Sequence, residues 1–444
     1  MIVAKFGGTS VSSKGSVLTL CNIVANELGR QPVVVVSALK GVTDLLLSLS
    51  TLPENKIEKK IREIRKIHKN LIVSLWNDKR LQSETFLYIN SKLNEILQLI
   101  MKAEPGREFL DKLVSFGEIM SSYIITRALE SKGMKAEQVI STDLIVTNNN
   151  FGSAEFLVES TKRKTQKILT PLVKTGVVPV VTGFIGATRS GQTTTLGRGG
   201  SDYTASIVGY CLKAEEIQIW TDVDGVFTAD PRLVKNARSL PIVSFKEASE
   251  LAAFGARVLH SRTIRPAISA GIPVRVLNTF NPKNHGTLIV EKSRASGKAK
   301  AVSFKRKIIL VNIYSTEMLR QKGFLAKIFK VFANNNISID LVSVSEVSVS
   351  VSVDDKKNLE MAVKELAEFS HVSVIEDMGM VSLIGEDITS STKTIRRVFE
   401  ILDKEKVLAR MVSLSAANIN ISIVVESDKV EKAVKALHDK LLLK

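Results

Sequence analysis

Cysteine is almost absent from this sequence of 444 residues, which contains only Cys21 and Cys211. The two cysteines lie in dissimilar contexts, and neither belongs to a Cys-x-x-Cys pair or has a histidine nearby. The sequence therefore suggests neither a disulfide framework nor a zinc site. We expect both thiols to be reduced, as is usual in the cytoplasm.

Long apolar runs are missing as well. A membrane-spanning helix needs about 20 consecutive apolar residues, and no run in this chain reaches that length. The N-terminus also lacks the basic stretch followed by an apolar stretch that marks a secretory signal. We therefore expect a cytoplasmic protein that does not contact a membrane.

Acidic residues are too few to balance the basic ones. The chain has 62 Lys and Arg against 45 Asp and Glu, which gives a formal net charge of +17. Such an excess can indicate nucleic acid, an anionic membrane surface or anionic small substrates. The lysines are spread along the chain, however, and residues 57–75 place them between apolar residues at helical spacing. This pattern is typical of solvated helix faces, so we expect no nucleic-acid partner.

The composition is otherwise that of a globular protein, and the length predicts two or three domains. Up to about residue 290, short β-branched runs such as 33–36, 177–182 and 217–220 alternate with helical stretches. This alternation predicts an α/β fold, a three-layer αβα sandwich with a mostly parallel central sheet. Glycine-rich turns follow several of the runs. Since ligands bind at the carboxyl ends of parallel strands, the glycines predict a site there.

The rest of the chain contains an internal repeat. Residues 291–307 are rich in Lys, Ser, Ala and Gly, which favours a linker. After it, residues 308–376 and 377–444 repeat with a period of about 70 residues. The predicted order of elements, βαββαβ, is the ferredoxin-like plan, and the last strand of the second copy is missing or supplied from elsewhere. We expect a pair of small-ligand sensors.

Two glycine-rich stretches are candidates for phosphate or carboxylate binding. In KFGGTS (residues 5–10) a lysine precedes two glycines, whereas a Walker A loop ends in Gly-Lys-Ser/Thr. In TLGRGGSDYTA (195–205) three glycines surround an arginine, which offers a bidentate fork. Taken singly, the first could be a strand end with a tight turn, and Ser201 or Asp202 could be a helix N-cap.

Two acidic stretches are less informative alone. WTDVDGVFTADPR (220–232) places several polar residues after an apolar strand and could be a loop with Asx turns. SFGE (115–118) has one acid after a glycine, and an isolated glutamate of this kind is usually a capping or surface residue.

Together and in this order, the four stretches resemble the amino-acid kinase superfamily, and specifically the aspartate kinases. VVVSA at 34–38, GVT at 41–43 and FGARVLH at 254–260 extend the resemblance, which covers essentially the whole chain. It implies a catalytic domain over residues 1–290. It also implies that the two repeats, 308–376 and 377–444, are regulatory ACT domains.

The resemblance implies transfer of the γ-phosphoryl group of ATP to the β-carboxylate of L-aspartate. The product would be 4-phospho-L-aspartate, the first intermediate of lysine, threonine and methionine biosynthesis through the diaminopimelate route. A carboxylate with a pKa of about 3.9 is already ionised at neutral pH, so no general base is required. ATP and Mg²⁺ are the implied cofactors. The metal is carried by ATP, and no protein metal site is expected.

The resemblance also implies roles for individual residues. Lys5 and Asp202 are the catalytic pair: Lys5 stabilises the transferred charge, and Asp202 orients Lys5 or the metal-bound phosphates. Arg198 would hold a carboxylate of aspartate and Glu118 its α-ammonium group. The implied aspartate site comprises Thr43, Glu118, Arg198, Gly199, Gly200 and Ser201. The implied ATP site comprises Lys5, Phe6, Gly7, Gly8, Thr221, Asp222, Phe227, Arg232, Arg257 and Val258.

Two of these positions depart from the family pattern. Phe227 stands where the family often has tyrosine, so a phenolic hydrogen bond is lost. Arg257 replaces the more usual lysine, which keeps the charge but changes the donor geometry. We expect altered nucleotide affinity and retained activity.

The first repeat is the predicted effector site. A shift of about 70 residues places Asp340 over Arg410 and Glu346 over Ala416, so that only the first copy offers two carboxylates. A cationic amino acid is therefore the predicted effector, and the resemblance implies lysine. The implied lysine site comprises Met318, Gly323, Phe324, Leu325, Ser338, Ile339, Asp340, Ser345 and Glu346. Arg320 and Gln321 differ from the usual His-Ser, so threonine or loss of feedback stays open, as does a solvated acidic edge.

Other functions compete with this interpretation. A kinase acting on glutamate or N-acetylglutamate is disfavoured by the paired ACT domains and by the position of Glu118. A catalytically silent amino-acid sensor is disfavoured because Lys5, Arg198 and Asp202 are all retained. Since ACT pairs usually associate through sheet edges, a homodimer or higher homo-oligomer is expected. The chain ends just after the second repeat, so no fused homoserine dehydrogenase is expected.

Overall fold

The computed structural model describes residues 1–102, 106–254, 262–293, 297–319 and 321–442. The helices in these ranges are α1 (Lys14–Asn26), α2 (Val42–Leu49), α3 (Glu54–Leu75), α4 (Lys79–Lys102), α5 (Arg107–Glu130), α6 (Val158–Lys174), α7 (Gly200–Leu212), α8 (Phe245–Ala253), α9 (Arg265–Ser269), α10 (Phe324–Asn334), α11 (Leu359–Ala367), α12 (Thr392–Lys404) and α13 (Val430–Leu441). No helix of these residues is both long and apolar enough to cross a membrane.

The strands in the same ranges are β1 (Ile2–Phe6), β2 (Pro32–Val36), β3 (Ala136–Val139), β4 (Val146–Thr147), β5 (Val178–Thr182), β6 (Ile185–Thr188), β7 (Thr193–Thr195), β8 (Glu216–Thr221), β9 (Ile242–Ser244), β10 (Val274–Asn278), β11 (Thr287–Val290), β12 (Ala301–Tyr314), β13 (Ile339–Val344), β14 (Ser348–Val353), β15 (His371–Ile384), β16 (Met411–Leu414) and β17 (Asn420–Glu426).

The chain forms two compact units. The N-terminal unit comprises Met1–Val226, Pro241–Phe245 and Val258–Glu291. The C-terminal unit comprises Phe227–Leu240, Lys246–Arg257 and Lys292–Lys444. Two segments from the predicted catalytic domain, 227–240 and 246–257, thus belong to the C-terminal unit.

The N-terminal unit is built on an eight-stranded sheet with the order β3-β5-β2-β1-β8-β10-β11-β9. All neighbours are parallel except β10 and β11, which are antiparallel. Every residue of β1, β2 and β5 is buried, as expected of central strands in a parallel sheet with both faces covered. The predicted α/β class with a mostly parallel sheet is confirmed.

The lysine-rich stretch at 57–75 lies in α3. Ile61, Ile64 and Leu71 of this helix are buried, while most of its lysines and arginines face solvent. The basic residues of this region therefore lie on the solvent-facing side of an amphipathic surface helix, as predicted.

The C-terminal unit contains a six-stranded antiparallel sheet with the order β13-β14-β12-β15-β17-β16. The second half of β12 pairs with β14 of the first repeat, and Ala301 to Arg306 of the same strand pair with Gly379 to Ile384 of β15. Residues 301–306 therefore supply the strand that the second repeat lacks. Residues 301–307, assigned to a linker from their Lys and Ser content, lie in a strand because Ala301, Val302 and Ser303 are buried against the sheet.

Segment 227–240 packs within the C-terminal unit. Ala229 and Val234 are buried in the apolar core of the second repeat, which includes Leu437 of α13. The Thr228 hydroxyl lies 2.9 Å from Nε2 of the buried His438, and the Thr228 carbonyl accepts a hydrogen bond from the Val302 amide at 2.8 Å. The end of the WTDVDGVFTADPR stretch thus packs against the second repeat.

Candidate active site

The KFGGTS stretch forms a tight loop at the carboxyl ends of three neighbouring strands. The Gly7 amide donates to the Trp220 carbonyl at the end of β8 at 3.1 Å, and the Ser37 amide, after β2, donates to the Phe6 carbonyl at 3.1 Å. A Cβ atom on Gly8 would lie 2.9 Å from the Ala38 carbonyl oxygen. Glycine at position 8 is thus required by the close approach of the two loops.

Lys5 and Asp202 form an ion pair inside this site. The Lys5 Nζ atom lies 2.6 Å from Oδ1 of Asp202, and the side chains are only 11% and 14% exposed. Lys5 points from β1, and Asp202 lies in the first turn of α7. The structure therefore brings together the two residues that the resemblance implies for catalysis.

The TLGRGGSDYTA stretch turns into α7. Gly199 has a φ of 72°, in the left-handed region, and a Cβ on Gly200 would lie 2.5 Å from Cδ2 of Phe184. Ser201 accepts a hydrogen bond from the Ser37 hydroxyl at 3.0 Å, which links this turn to the end of β2. The glycines therefore place the positive N-terminal end of α7 beside the KFGGTS loop.

Arg198 differs from its neighbours because it is exposed. Its guanidinium group makes no hydrogen bond or ion pair with another of the residues that the structure describes. Thr43, in the first turn of α2, is half-buried and follows Gly41, whose φ is 81°. Both side chains are accessible to a ligand.

Glu118 is buried in α5 with only 3% of its surface exposed. Its Oε1 atom accepts a hydrogen bond from the Ala38 amide at 3.3 Å, and Oε2 is buried without a hydrogen-bond partner in the described part of the chain. Burial raises the pKa of Glu118 to about 8, against the opposing effect of the hydrogen bond from Ala38. The site thus holds a carboxyl group that needs a cation to remain charged.

Gly117 explains how this glutamate reaches the site. A Cβ on Gly117 would lie 2.9 Å from the Cβ of Ala38, so the glycine allows α5 to approach the end of β2. Ser37 and Ala38 consequently connect three of the predicted stretches. They contact the Gly8 loop, Ser201 and Glu118.

Eight of the ten predicted ATP-binding residues are described, and they fall into three groups: residues 5–8 at the end of β1, residues 221–222 at the end of β8, and Phe227 with Arg232 in the C-terminal unit. Thr221 ends β8, and its hydroxyl donates to Asp222 at 3.2 Å. Phe6 is fully buried and stacks on Trp220 with ring centroids 5.9 Å apart, so a ligand could reach only its backbone. Phe227 and Arg232 belong to the C-terminal unit. The remaining two, Arg257 and Val258, lie outside the described residues.

Within the C-terminal unit, Phe227 pairs with Ser239 in a short bridge. Arg232 forms a bidentate pair with Asp230, with Nε 3.0 Å from Oδ1 and Nη2 2.7 Å from Oδ2. Arg232 is nevertheless largely exposed, so its guanidinium group could also reach solvent or a ligand.

Two positioning residues escaped the sequence-based predictions. The buried Asp111 accepts hydrogen bonds from the Gly152 amide at 2.8 Å, the Thr195 amide at 2.8 Å and the Thr195 hydroxyl at 2.7 Å. Arg262 donates to the Ser153 hydroxyl at 2.7 Å. Asp111 stands about two helical turns before Glu118 in α5. Recognition of this helix in the sequence would have placed the two carboxyl groups on one face.

The effector residues implied in the first repeat lie in two places. Gly323, with a φ of 89°, is the N-cap of α10. Phe324 packs into the core with its ring centroid 5.7 Å from that of Phe369, and Leu325 is exposed. Met318 precedes this turn. Ser338 directly precedes β13, and Ile339 and Asp340 begin it. Ser345 and Glu346 form the exposed hairpin after β13. Arg320 lies outside the described residues. Asp340 is paired with Lys305, whose Nζ atom is 2.9 Å from Oδ2.

Within the described ranges, no three His, Cys, Asp or Glu side chains come together as potential metal ligands. Both cysteines are buried and free.

Comparison with known proteins agrees with this geometry. The profile of the amino acid kinase family matches residues 1–278, and that of the ACT domain matches residues 311–368 and 381–441. The chloroplastic aspartokinase 1 of Arabidopsis thaliana is 36% identical over 455 residues, which cover 98% of this chain and 79% of the relative.

Solved structures are similar over the full length. E. coli aspartokinase III in complex with aspartate and ADP, in its R-state, matches with a TM-score of 0.86 at 34% identity and 99% coverage of both chains. The same enzyme in complex with lysine and aspartate, in its T-state, matches with a TM-score of 0.83 at 33% identity and the same coverage. The chain therefore belongs to the amino acid kinase family and, within it, to the aspartokinases that carry C-terminal ACT domains.

Proposed function

We propose that this chain transfers the γ-phosphoryl group of ATP to the β-carboxylate of L-aspartate and forms 4-phospho-L-aspartate. The observation that carries the proposal is the arrangement around Ser37 and Ala38, which joins a phosphate-type loop, a helix N-terminus and a buried glutamate. A phosphoryl acceptor that is already a carboxylate requires no base, so the site has to align two anions and neutralise their charge.

Lys5 is the proposed cation for the transferred group. Its ammonium group is largely shielded from water, so its electrostatic effect on a nearby phosphoryl group is larger than in solvent. Asp202 holds the ammonium group in place at 2.6 Å. The Gly8 amide and the N-terminus of α7 add further positive potential.

Glu118 is the proposed partner of the α-ammonium group of aspartate. Its Oε2 atom is buried and unpaired, and a bound ammonium would supply the missing partner and favour the charged carboxylate. Arg198 is exposed and has no partner among the described residues, so its guanidinium group is available for a bidentate ion pair with a substrate carboxylate. Thr43 and Ser201 are proposed to add hydroxyl contacts, and Gly199 and Gly200 backbone contacts.

The nucleotide is proposed to bind beside the end of β8. Thr221 and Asp222 would contact it there, whereas Phe227 and Arg232 stay predictions that rest on the resemblance. E. coli aspartokinase III, a similar structure, binds ADP together with aspartate. Mg²⁺ prefers oxygen ligands, and we propose that it arrives with ATP, bound to the phosphate oxygens.

Lysine feedback at the first repeat is also proposed. The similar E. coli aspartokinase III binds lysine in its T-state, and Asp340 here offers the carboxylate that a cationic effector requires. Self-association is supported by the edge strands of the antiparallel sheet, where Val342, Val344, Val412 and Leu414 are exposed. The free thiols of Cys21 and Cys211 are compatible with the proposed cytoplasmic location.

The test uses hydroxylamine to trap acyl phosphates formed by the purified full-length protein with MgATP. Aspartate, glutamate and N-acetylglutamate are compared as acceptors, each with and without lysine. We expect hydroxamate from aspartate, at least ten times less from the other two, and a decrease when lysine is added. Turnover of glutamate without turnover of aspartate would overturn the proposed function.

A further inference from the structure

One lysine of β12 bridges two carboxylates of the first repeat. The Nζ atom of Lys305, on β12, lies 2.9 Å from Oδ2 of Asp340 and 2.7 Å from Oδ2 of Asp354. The Lys305 and Asp340 side chains are only 17% and 20% exposed, whereas Asp354 is half exposed. Asp340 is thus already paired with an ammonium group that belongs to the protein itself.

These carboxylates need a cation. Burial raises the pKa of Asp340 to about 6, and the neighbouring Asp354 contributes to the rise, while Lys305 opposes it. Burial alone would lower the pKa of Lys305, but its hydrogen bonds to Asp354 and Asp340 raise it overall. The three groups therefore depend on one another, and the charged state of Asp340 requires a positive partner.

In the second repeat, the corresponding acidic residue is paired with an arginine. Arg410 occupies the position that corresponds to Asp340, and its Nη2 atom lies 2.7 Å from Oε1 of Glu426. Glu426 ends β17, as Asp354 directly follows the equivalent strand β14. In the second repeat, the residue that corresponds to Asp340 is therefore itself the cation. In the first repeat the position carries an acid, and the cation comes from another strand.

We propose that Lys305 is an internal competitor of the cationic effector at Asp340. Its ε-ammonium group is the same chemical group that an L-lysine effector would present to this carboxylate. Binding of the effector would therefore exchange one ammonium for another, with Lys305 retreating to Asp354 or to solvent. This inference rests on the proposed lysine site, and it predicts that Lys305 lowers the sensitivity of the enzyme to lysine.

The test is Lys305→Met in the full-length enzyme, which keeps an unbranched four-atom apolar side chain and removes the ammonium group. We expect the Kd for L-lysine, measured by calorimetry, and the lysine concentration for half-inhibition to fall about five-fold. Lys307→Met is the matched control, because Lys307 lies on the same strand, is exposed and contacts neither Asp340 nor Asp354. We expect the control to bind lysine like the wild type.

L-Norleucine, which has the alkyl chain of lysine without its ammonium group, separates competition from a general change in the site. It should gain nothing from Lys305→Met. Lys305→Gln serves as a second variant, and both variants are compared with the wild type by thermal unfolding. Unchanged or weaker lysine binding in both folded variants would overturn the inference, as would an equal gain for norleucine.

Asp340→Asn in the wild-type background distinguishes this failure from failure of the proposed site. Lysine inhibition that survives Asp340→Asn would show that the effector does not bind at Asp340, and both proposals would fail. Loss of inhibition in Asp340→Asn, together with an unchanged Kd for lysine in the Lys305 variants, would refute only the proposal that Lys305 competes with the effector.

Discussion

Aspartate binding should depend on pH through Glu118. With a pKa of about 8 in the ligand-free site, the carboxyl group is ionised in roughly 1% of molecules at pH 6 and in about a quarter at pH 7.5. The α-ammonium group of aspartate pairs with the ionised form, so the apparent affinity scales with that fraction. The KM for aspartate should therefore fall about 20-fold between pH 6 and pH 7.5, with release of nearly one proton per aspartate bound at pH 6 to 7.

Initial-rate measurements at saturating MgATP give the KM, and calorimetry in buffers of different ionisation enthalpy counts the protons. Glu118→Gln removes the titrating group, so the KM of this variant for aspartate should depend much less on pH. Its kcat/KM for aspartate should fall about 30-fold or more, because the α-ammonium group of the bound aspartate loses its charged partner. The ligand-free variant should also gain stability over the wild type as the pH rises from 5 to 8. This follows because the raised pKa makes ionisation of Glu118 costly only in the folded state. A wild-type KM that does not change over this pH range, or a variant that keeps the full pH dependence, would refute the assignment of Glu118.

Three further predictions concern positioning and regulation. Gly200→Ala should destabilise the protein by about 1–3 kcal/mol in urea unfolding, because its Cβ would lie 2.5 Å from Phe184. The control Gly29→Ala, with no atom near its Cβ, should be tolerated. Equal stability of the two variants would contradict the close approach of Gly200 to Phe184. Asp111→Ala should cost about 1–3 kcal/mol and raise the KM for aspartate, because two amides and a hydroxyl lose their acceptor. The exposed Asp143→Ala is its control, and a KM unchanged by Asp111→Ala would remove its positioning role. Asp340→Ala should abolish inhibition by lysine and leave the rate without lysine intact; inhibition at the wild-type concentration would exclude this carboxylate.

The sequence predicted the features whose causes are local. The run of four valines at 33–36 is a buried central strand, as such a run predicts for a parallel sheet covered on both faces. The glycines at 8 and 200 belong to stretches predicted to bind a ligand, and the structure shows that their lack of a side chain also admits the Ala38 carbonyl and the Phe184 ring. The α/β class, the family and the aspartokinase function predicted from the motifs are confirmed by the fold and by the similar proteins.

Features that depend on a distant partner could not be predicted. Residues 301–306 have a linker-like composition, yet they form a strand because β15 offers an unpaired edge some 80 residues later in the chain. The ion pair of Lys305 with Asp340 follows from that strand and was missed with it. Likewise, the burial of Ala229 and Val234 in the C-terminal unit depends on helices at the far end of the sequence. The individual site residues, including Arg257 and Val258, stay predictions.

The central claim is that Lys5 stabilises the charge of the phosphoryl group during transfer. The most direct measurement is kcat, with the KM for ATP, for Lys5→Ala at saturating aspartate and MgATP, beside Lys14→Ala as an exposed control lysine. We expect kcat to fall on the order of 100-fold or more, with the KM for ATP changed by less than about three-fold. A kcat close to that of the wild type combined with a large rise in the KM for ATP would contradict the claim and leave Lys5 as a residue that only binds nucleotide.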